Sequence, residues 1–405
     1  MIITAKRMIT GDGKTILDNA AVLIRDGLIE RVDKFDTLCR EFPGVERADF
    51  GDATILPGLI DMHVHIGWCG HHTDKDTYNE YMIGYNGMDF AKRALNTGVT
   101  TLRDLSSPGG LCQTLINASK MGLLNIPRII HCNKALCATG GHGWNSGGSV
   151  EADGEAEIRK AVREQIRAGA DWIKIMSTHR SPGVSEYTQE ELFAAVDEAK
   201  RHKRKTAVHS TLQPSLEYCI NAGVDTIEHG TDITEGQAAR MAEKGIAWVP
   251  TLLVHHTVYK RLQEIIDSGA QDTLSELQWE TYNLYKPSVA TFKKNLKKYA
   301  DMGVTILTGT DMVMDGTAPV AEEIALMAEY GINPLAAIAA GTSNCAKVLG
   351  MEGEIGILEK GARADIIVVE GDPSKTIEAL KNVAAVFLNG KKFADNPRRF
   401  AAPPS

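Results

Sequence analysis

The sequence predicts an α/β protein, a (β/α)8 barrel joined to a small β domain assembled from both ends of the chain. Three observations predict it. Eight apolar, strand-like runs recur between residues 57 and 350, most of them separated by helical patterns. Short strand-and-turn segments occupy the first 55 and the last 45 residues and flank this middle. No Gly-rich phosphate turn follows the first strand, as a doubly wound nucleotide-binding sheet would need. The expected boundaries are 1–56 and 351–405 for the two parts of the β domain and 57–350 for the barrel.

The elements follow in order. "AAVLIRDGLIERVD" holds two apolar runs around Asp26-Gly27, a hairpin signal, and "VAAVFLNGKKF" repeats the device at Asn389-Gly390. The eight middle strands are "GLIDMHVHI", "GVTTLRDLS", "PRIIHCNKAL", "ADWIKIM", "KTAVHST", "DTIEHGT", "IAWVPTL" and "VTILTGTDM". One helix starts at "TQEE", with Thr188 as N-cap and Glu191 reaching back. Another is expected from Asn333 and Pro334 to Gly350. Residues 253–300 are too many for a plain loop and read as extra helices, a lid or an oligomer contact.

Composition excludes several functions. The chain has 405 residues, 43% hydrophobic and 24% charged, with a net charge of -8. No long basic run is present, so nucleic acid is not an expected partner. No stretch approaches the ~18 apolar residues of a membrane span, and the N-terminus lacks the apolar region of a secretory signal. Seven scattered cysteines without a C-x-x-C pair suit a reducing cytoplasm. A homo-oligomer acting on a small molecule is expected.

In a barrel, chemistry gathers at the carboxyl ends of the strands. Those ends carry His63 and His65 on one face of strand one, Lys174 on strand four, His209 on five, His229 on six and Asp311 on eight. Each has an ordinary alternative: His209 and His229 as hydrogen-bonded core histidines, Asp311 as a helix cap. Lys174 is harder to explain, because lysine is rarely buried unpaired in an apolar strand. The series together points to a metal site.

The pattern resembles the amidohydrolase superfamily, through "LPGLIDMHVH", "ADWIKIM", "AVHS", "IEHG", "LTGTDM" and "GILEKGARADIIVV" in that order. The strand-four lysine and "GGHG" at 140–143 resemble its Xaa-Pro and Xaa-Arg dipeptidase and carboxypeptidase branch; imidazolonepropionase is a cousin without that lysine. The resemblance implies a barrel with a β-sandwich from both termini and two divalent metals, for which zinc suits the ligands. It implies that Lys174 carries carbon dioxide as a bridging carbamate, that His63, His65 and Asp311 hold the buried metal, and that His209 and His229 hold the exposed one. A metal-bridging hydroxide would attack the amide carbonyl, with Asp311 as proton shuttle.

His142 is the candidate for a substrate contact, against a surface histidine in a Gly-rich loop. Arg180 is a candidate for pairing a substrate carboxylate, against a solvated arginine. His71, His72, His255 and His256 read as surface or loop residues. Two departures from the branch fall in substrate-facing loops: "TDIT" follows "IEHG" where a tyrosine is usual, and "STHRSPG" replaces a Gly-Gly pair after the lysine. The expected activity is hydrolysis of a dipeptide or N-acyl amino acid. The alternatives are a cyclic amide or lactone hydrolase and a non-catalytic scaffold.

Overall fold

The computed structural model of the chain describes residues 1–67, 79–178, 184–311 and 319–395. Arg180, His71 and His72 lie outside the described residues. Both expected hairpins form. Ala20–Arg25 pairs antiparallel with Leu28–Lys34, and Val383–Leu388 with Lys391–Asp395. Asp26, Gly27, Asn389 and Gly390 all have positive φ, as a two-residue hairpin turn with right-handed strand twist requires.

The two ends of the chain do share a sheet. Its order is Lys391–Asp395, Val383–Leu388, Ile366–Glu370, Ala53–Pro57, Arg7–Ile9, Ile16–Asp18. A second sheet, with Ile2–Thr4 and Ala20–Arg25 at its centre, joins it in one apolar cluster that includes Ile3, Val22, Ile55, Ile366 and Phe387.

The middle of the chain alternates parallel strands with helices. One sheet orders Arg128–His131, Val99–Asp104 and Leu59–Val64. Another orders Ser149–Glu151, Ala135–Cys137, Trp172–Met176, Lys205–Ser210, Thr226–His229 and Ala247–Val249. Backbone hydrogen bonds join the two sheets on both sides. Asp171 N–H donates to His131 O at 2.8 Å; Leu307 N–H donates to Trp248 O at 2.9 Å and Met62 N–H to Thr308 O at 3.0 Å. Residues 304–311 therefore run between the seventh strand and the first, although only Ile306 forms a ladder bridge. Gly309 permits that approach, since a Cβ there would sit 2.3 Å from Val249 and 2.8 Å from His63.

Two expectations need correction. "PRIIHCNKAL" is two strands, Arg128–His131 and Ala135–Cys137, broken where Asn133 takes φ 61°. The 333–350 helix is two, Pro334–Ala340 and Ser343–Leu349, because Gly341 ends the first; Gly350 caps the second at φ 79°. The capping box at Thr188 and Glu191 forms as expected. The 253–300 segment folds as two helices, Leu252–Asp267 and Glu276–Asp301, packed through Leu262, Leu274 and Tyr282.

Candidate active site

Five of the six strand-end residues are linked by short contacts between their side chains, and Lys174 lies within the electrostatic reach of Asp311 and Glu228. His63 is buried in Leu59–Val64, and His65 stands one residue past that strand's end. Their Nε2 atoms lie 3.6 and 3.3 Å from Asp311 Oδ1. Ligand atoms of the three residues are all within 4.8 Å of one another. The rings of His63 and His229 are 5.1 Å apart and those of His209 and His229 4.5 Å apart.

The protons can be assigned from partners. His63 Nδ1 lies 2.8 Å from a carboxylate oxygen of Glu228, and His65 Nδ1 lies 3.0 Å from the Ser106 carbonyl; neither acceptor has a proton to give. His229 Nδ1 is 2.7 Å from the Thr251 hydroxyl, which donates its own proton to the Pro250 carbonyl at 2.8 Å. All three histidines therefore carry their proton on Nδ1 and turn an Nε2 lone pair inward. Two lone pairs beside a carboxylate repel unless a cation or an extra proton sits among them. Such an arrangement could hold a metal ion, with the outer nitrogen of each ring fixed by a hydrogen bond.

Lys174 supplies the second sign. It sits mid-strand in Trp172–Met176, fully buried, and its Nζ has no hydrogen-bond partner. Burial pushes its pKa down from 10.5 to about 8, with Glu228 and Asp311 pulling the other way. Burial also drives His209 and His229 well below the usual imidazole range, helped by their neighbouring histidines, so both are neutral. Burial alone would raise the Asp311 carboxyl; His63 and His65 override it and keep the group ionised.

His142 is not a detached surface residue. Its ring stacks on His209 at 4.2 Å between centroids, and Glu186 fixes its backbone N–H at 2.9 Å. His255, read from the sequence as surface or loop, is buried, its ring 5.8 Å from His229. The expectation failed because the residue stands in the first turn of Leu252–Asp267, folded back over the seventh strand's end. His256 is half-buried, with its Nδ1 3.1 Å from the Tyr330 hydroxyl.

Residues 54–393 match the amidohydrolase family. The chain belongs to that family. Ochratoxinase of Aspergillus niger is 30% identical over 435 residues, covering 97% of this chain and 86% of that protein. A crystal structure of a Xaa-Pro dipeptidase with methionine bound in its active site superposes with a TM-score of 0.84 at 28% identity, covering 97% of this chain and 99% of that one. Imidazolonepropionase of Pyrobaculum arsenaticum is 23% identical over 394 residues, 91% of this chain and 92% of that protein. This amidohydrolase is an enzyme, a hydrolase.

Sequence reasoning missed the residues that hold the amidohydrolase site together. Asp61 accepts from His63 N–H at 3.1 Å, Thr310 N–H at 3.0 Å and the Thr310 hydroxyl at 2.8 Å, tying the last strand segment to the first. Arg103 and Glu228, both fully buried, pair at 2.9 Å behind His63. Burial would raise Glu228, but Arg103 and His63 hold it down at about 2. The signal was available: Asp61, Arg103 and Glu228 are charged residues inside apolar strands, as Lys174 is.

Proposed function

We propose that the chain is a binuclear metal-dependent amidohydrolase that cleaves the amide bond of a dipeptide or an N-acyl amino acid. In this reading residues 57–350 form a closed (β/α)8 barrel, and 1–56 with 351–405 form a β-sandwich. His63, His65 and Asp311 would hold one metal and His209 and His229 a second, and Lys174, as its carbamate, would supply a further anionic ligand. The observation that carries the reading is the buried, unpartnered Lys174 Nζ among inward-facing Nε2 lone pairs. A neutral amine can add carbon dioxide, and the product is an anion with two oxygens, which satisfies the orphaned position.

Divalent metals bound here would lower the pKa of a water and polarise the scissile carbonyl. The chain's own part follows from its geometry. Asp311 turns Oδ1 to His63 and His65, so Oδ2 is the atom that takes the proton from water and returns it to the leaving amine. His142, stacked on His209, presents its ring to the substrate. Glu228, Ser106 and Thr251 hold the ligand rings in one tautomer throughout. Support for the substrate class comes from the relatives: one is a Xaa-Pro dipeptidase, and another solved relative is a prolidase complexed with N-methylphosphonate-L-proline, at 26% identity and a TM-score of 0.84.

The test is a hydrolysis screen of the purified protein with zinc or manganese. Turnover of dipeptides or N-acyl amino acids, abolished by chelation and restored by metal, is expected. Turnover confined to lactams, hydantoins or lactones would overturn the substrate assignment in favour of a cyclic-amide hydrolase. Chelator-resistant turnover would overturn the metal.

A further inference from the structure

We propose that Thr251 is a positioning residue for His229, and that Glu323 frees it for that task by taking over the capping of the helix Thr251 begins. The inference rests on His229 as a metal ligand. It goes beyond that assignment by naming the exchange of helix caps that leaves Thr251 free to fix the ligand ring.

Thr251 occupies the N-cap position of helix Leu252–Asp267. A threonine there ordinarily turns its hydroxyl to an amide of the first turn. This one makes no such bond. Instead its Oγ1 accepts from His229 Nδ1–H at 2.7 Å and donates to Pro250 O at 2.8 Å. The amides it leaves uncapped are claimed from elsewhere. Glu323, fully buried on helix Pro319–Glu329, accepts from Leu252 N–H at 2.9 Å and Leu253 N–H at 2.6 Å. Opening donors of a helix need a partner when buried. With Glu323 serving them, the hydroxyl can face the other way.

The backbone supports the same division of labour. Thr251 is fully buried with φ 51° and ψ 50°, a left-handed conformation that a β-branched residue rarely adopts. Such a residue persists only where its surroundings over-determine it. They do here: Glu323 grips the next two amides, and Thr251 O accepts from His255 Nδ1–H at 3.0 Å. His229 is itself left-handed at φ 67°, and its carbonyl accepts from Trp248 Nε1–H at 2.7 Å. The ring of His229 is thus fixed at its outer nitrogen by one residue and at its backbone by another.

The discriminating variant is Thr251→Val, which keeps shape and β-branching and removes only the hydroxyl. Thr251→Ser keeps the hydroxyl. Glu323→Gln keeps one acceptor for the two amides and sets an NH2 against the other. Metal-stripped proteins would be titrated with cobalt, read by visible absorption and calorimetry. Partners of this kind typically change metal affinity 10–100-fold. Thr251→Val should weaken one of two cobalt sites by that factor and leave the other unchanged, Thr251→Ser should bind like wild type, and Glu323→Gln should weaken the same site as Thr251→Val. Two wild-type sites in Thr251→Val would overturn the proposal, as would equal weakening of both sites. Should Thr251→Val not fold, Glu323→Gln with two unaltered sites would overturn it equally. A wild-type chain that takes up no cobalt would instead sink the functional reading, and this proposal with it.

Discussion

The buried pair of Arg103 and Glu228 offers a quantitative test of how the site is supported. Both side chains are fully excluded from solvent, with Nη2 2.9 Å from Oε1. Arg103 also donates to Met62 O at 2.6 Å and Thr226 Oγ1 at 3.1 Å and lies 4.4 Å over the Trp172 ring. Glu228 has His63 Nδ1 at 2.8 Å on its second oxygen. Breaking a buried ion pair by removing one partner costs about 3–5 kcal/mol, because the other charge stays buried. Arg103 keeps its bonds to Met62 and Thr226 and its aromatic face, and Gln still accepts one hydrogen bond. Glu228→Gln should therefore fall at the low end, about 3 kcal/mol, and Arg103→Met near the same value. The double variant removes both charges, so its loss should be at least about 2 kcal/mol smaller than the sum of the singles. Urea unfolding of metal-stripped protein measures all four species without metal affinity entering the result. Losses that add to within about 0.5 kcal/mol would show two independent groups and refute the argument.

Other expectations follow from single residues. Lys174→Met, which replaces an unpartnered buried amine with an apolar chain of similar length, should lower turnover by more than a decade, at least ~1.4 kcal/mol in barrier; metal analysis should find fewer than two ions, while urea unfolding of the metal-stripped form shows stability unchanged or raised. Asp311→Asn keeps a residue tolerated at φ 48° but cannot move a proton, so kcat should fall about 10²–10⁴-fold with little change in melting temperature. Glu198 accepts from Arg163 at 2.7 Å, Arg201 at 3.2 Å and Arg159 at 3.3 Å, and the Arg163 hydrogen bond leads in lowering its pKa from 4.5 to about 2. A depressed carboxylate pKa stabilises above the unfolded value, so Glu198→Gln should cost about 1–2 kcal/mol at pH 7 after allowance for solvent around the arginines. That difference from wild type, followed by urea unfolding, should vanish as pH falls from about 5 to 2.

The residues that converge at the strand ends were legible because each breaks a local rule. Two histidines on one strand face, a lysine in "DWIKIM" and an aspartate at the end of the last apolar run are all costly choices for a core, and several costly choices at one end of a set of strands have a common cause. The terminal hairpins were legible from Asp26-Gly27 and Asn389-Gly390, where turn chemistry is short-range. The split of "PRIIHCNKAL" was not, since nothing in its apolar pattern marks the left-handed turn at Asn133. His255 escaped because its burial depends on how the two helices spanning Leu252 to Asp301 fold over the strand ends, a tertiary event without periodic signature; its ring packs 4.4 Å from that of Tyr285, from the second of those helices.

The backbone at the site adds a feature that no pattern of side chains could announce. His229, Thr251 and Asp311 stand at the ends of strands six, seven and eight, and all three have positive φ: 67°, 51° and 48°. None is glycine, and each such residue costs of order 1–3 kcal/mol outside a surrounding that enforces it. Threonine, being β-branched, is a poor choice for that conformation, so stability alone does not explain Thr251. His63, on the adjacent first strand, stays extended, and Asp311 N–H donates to its carbonyl at 2.9 Å. The strained rim is thereby anchored to an unstrained strand. The cost falls on residues that place or brace the inward-facing groups, and the backbone beside two of them is held by buried carboxylates: Asp61 accepts from Thr310 N–H, and Glu323 from Leu252 and Leu253 N–H.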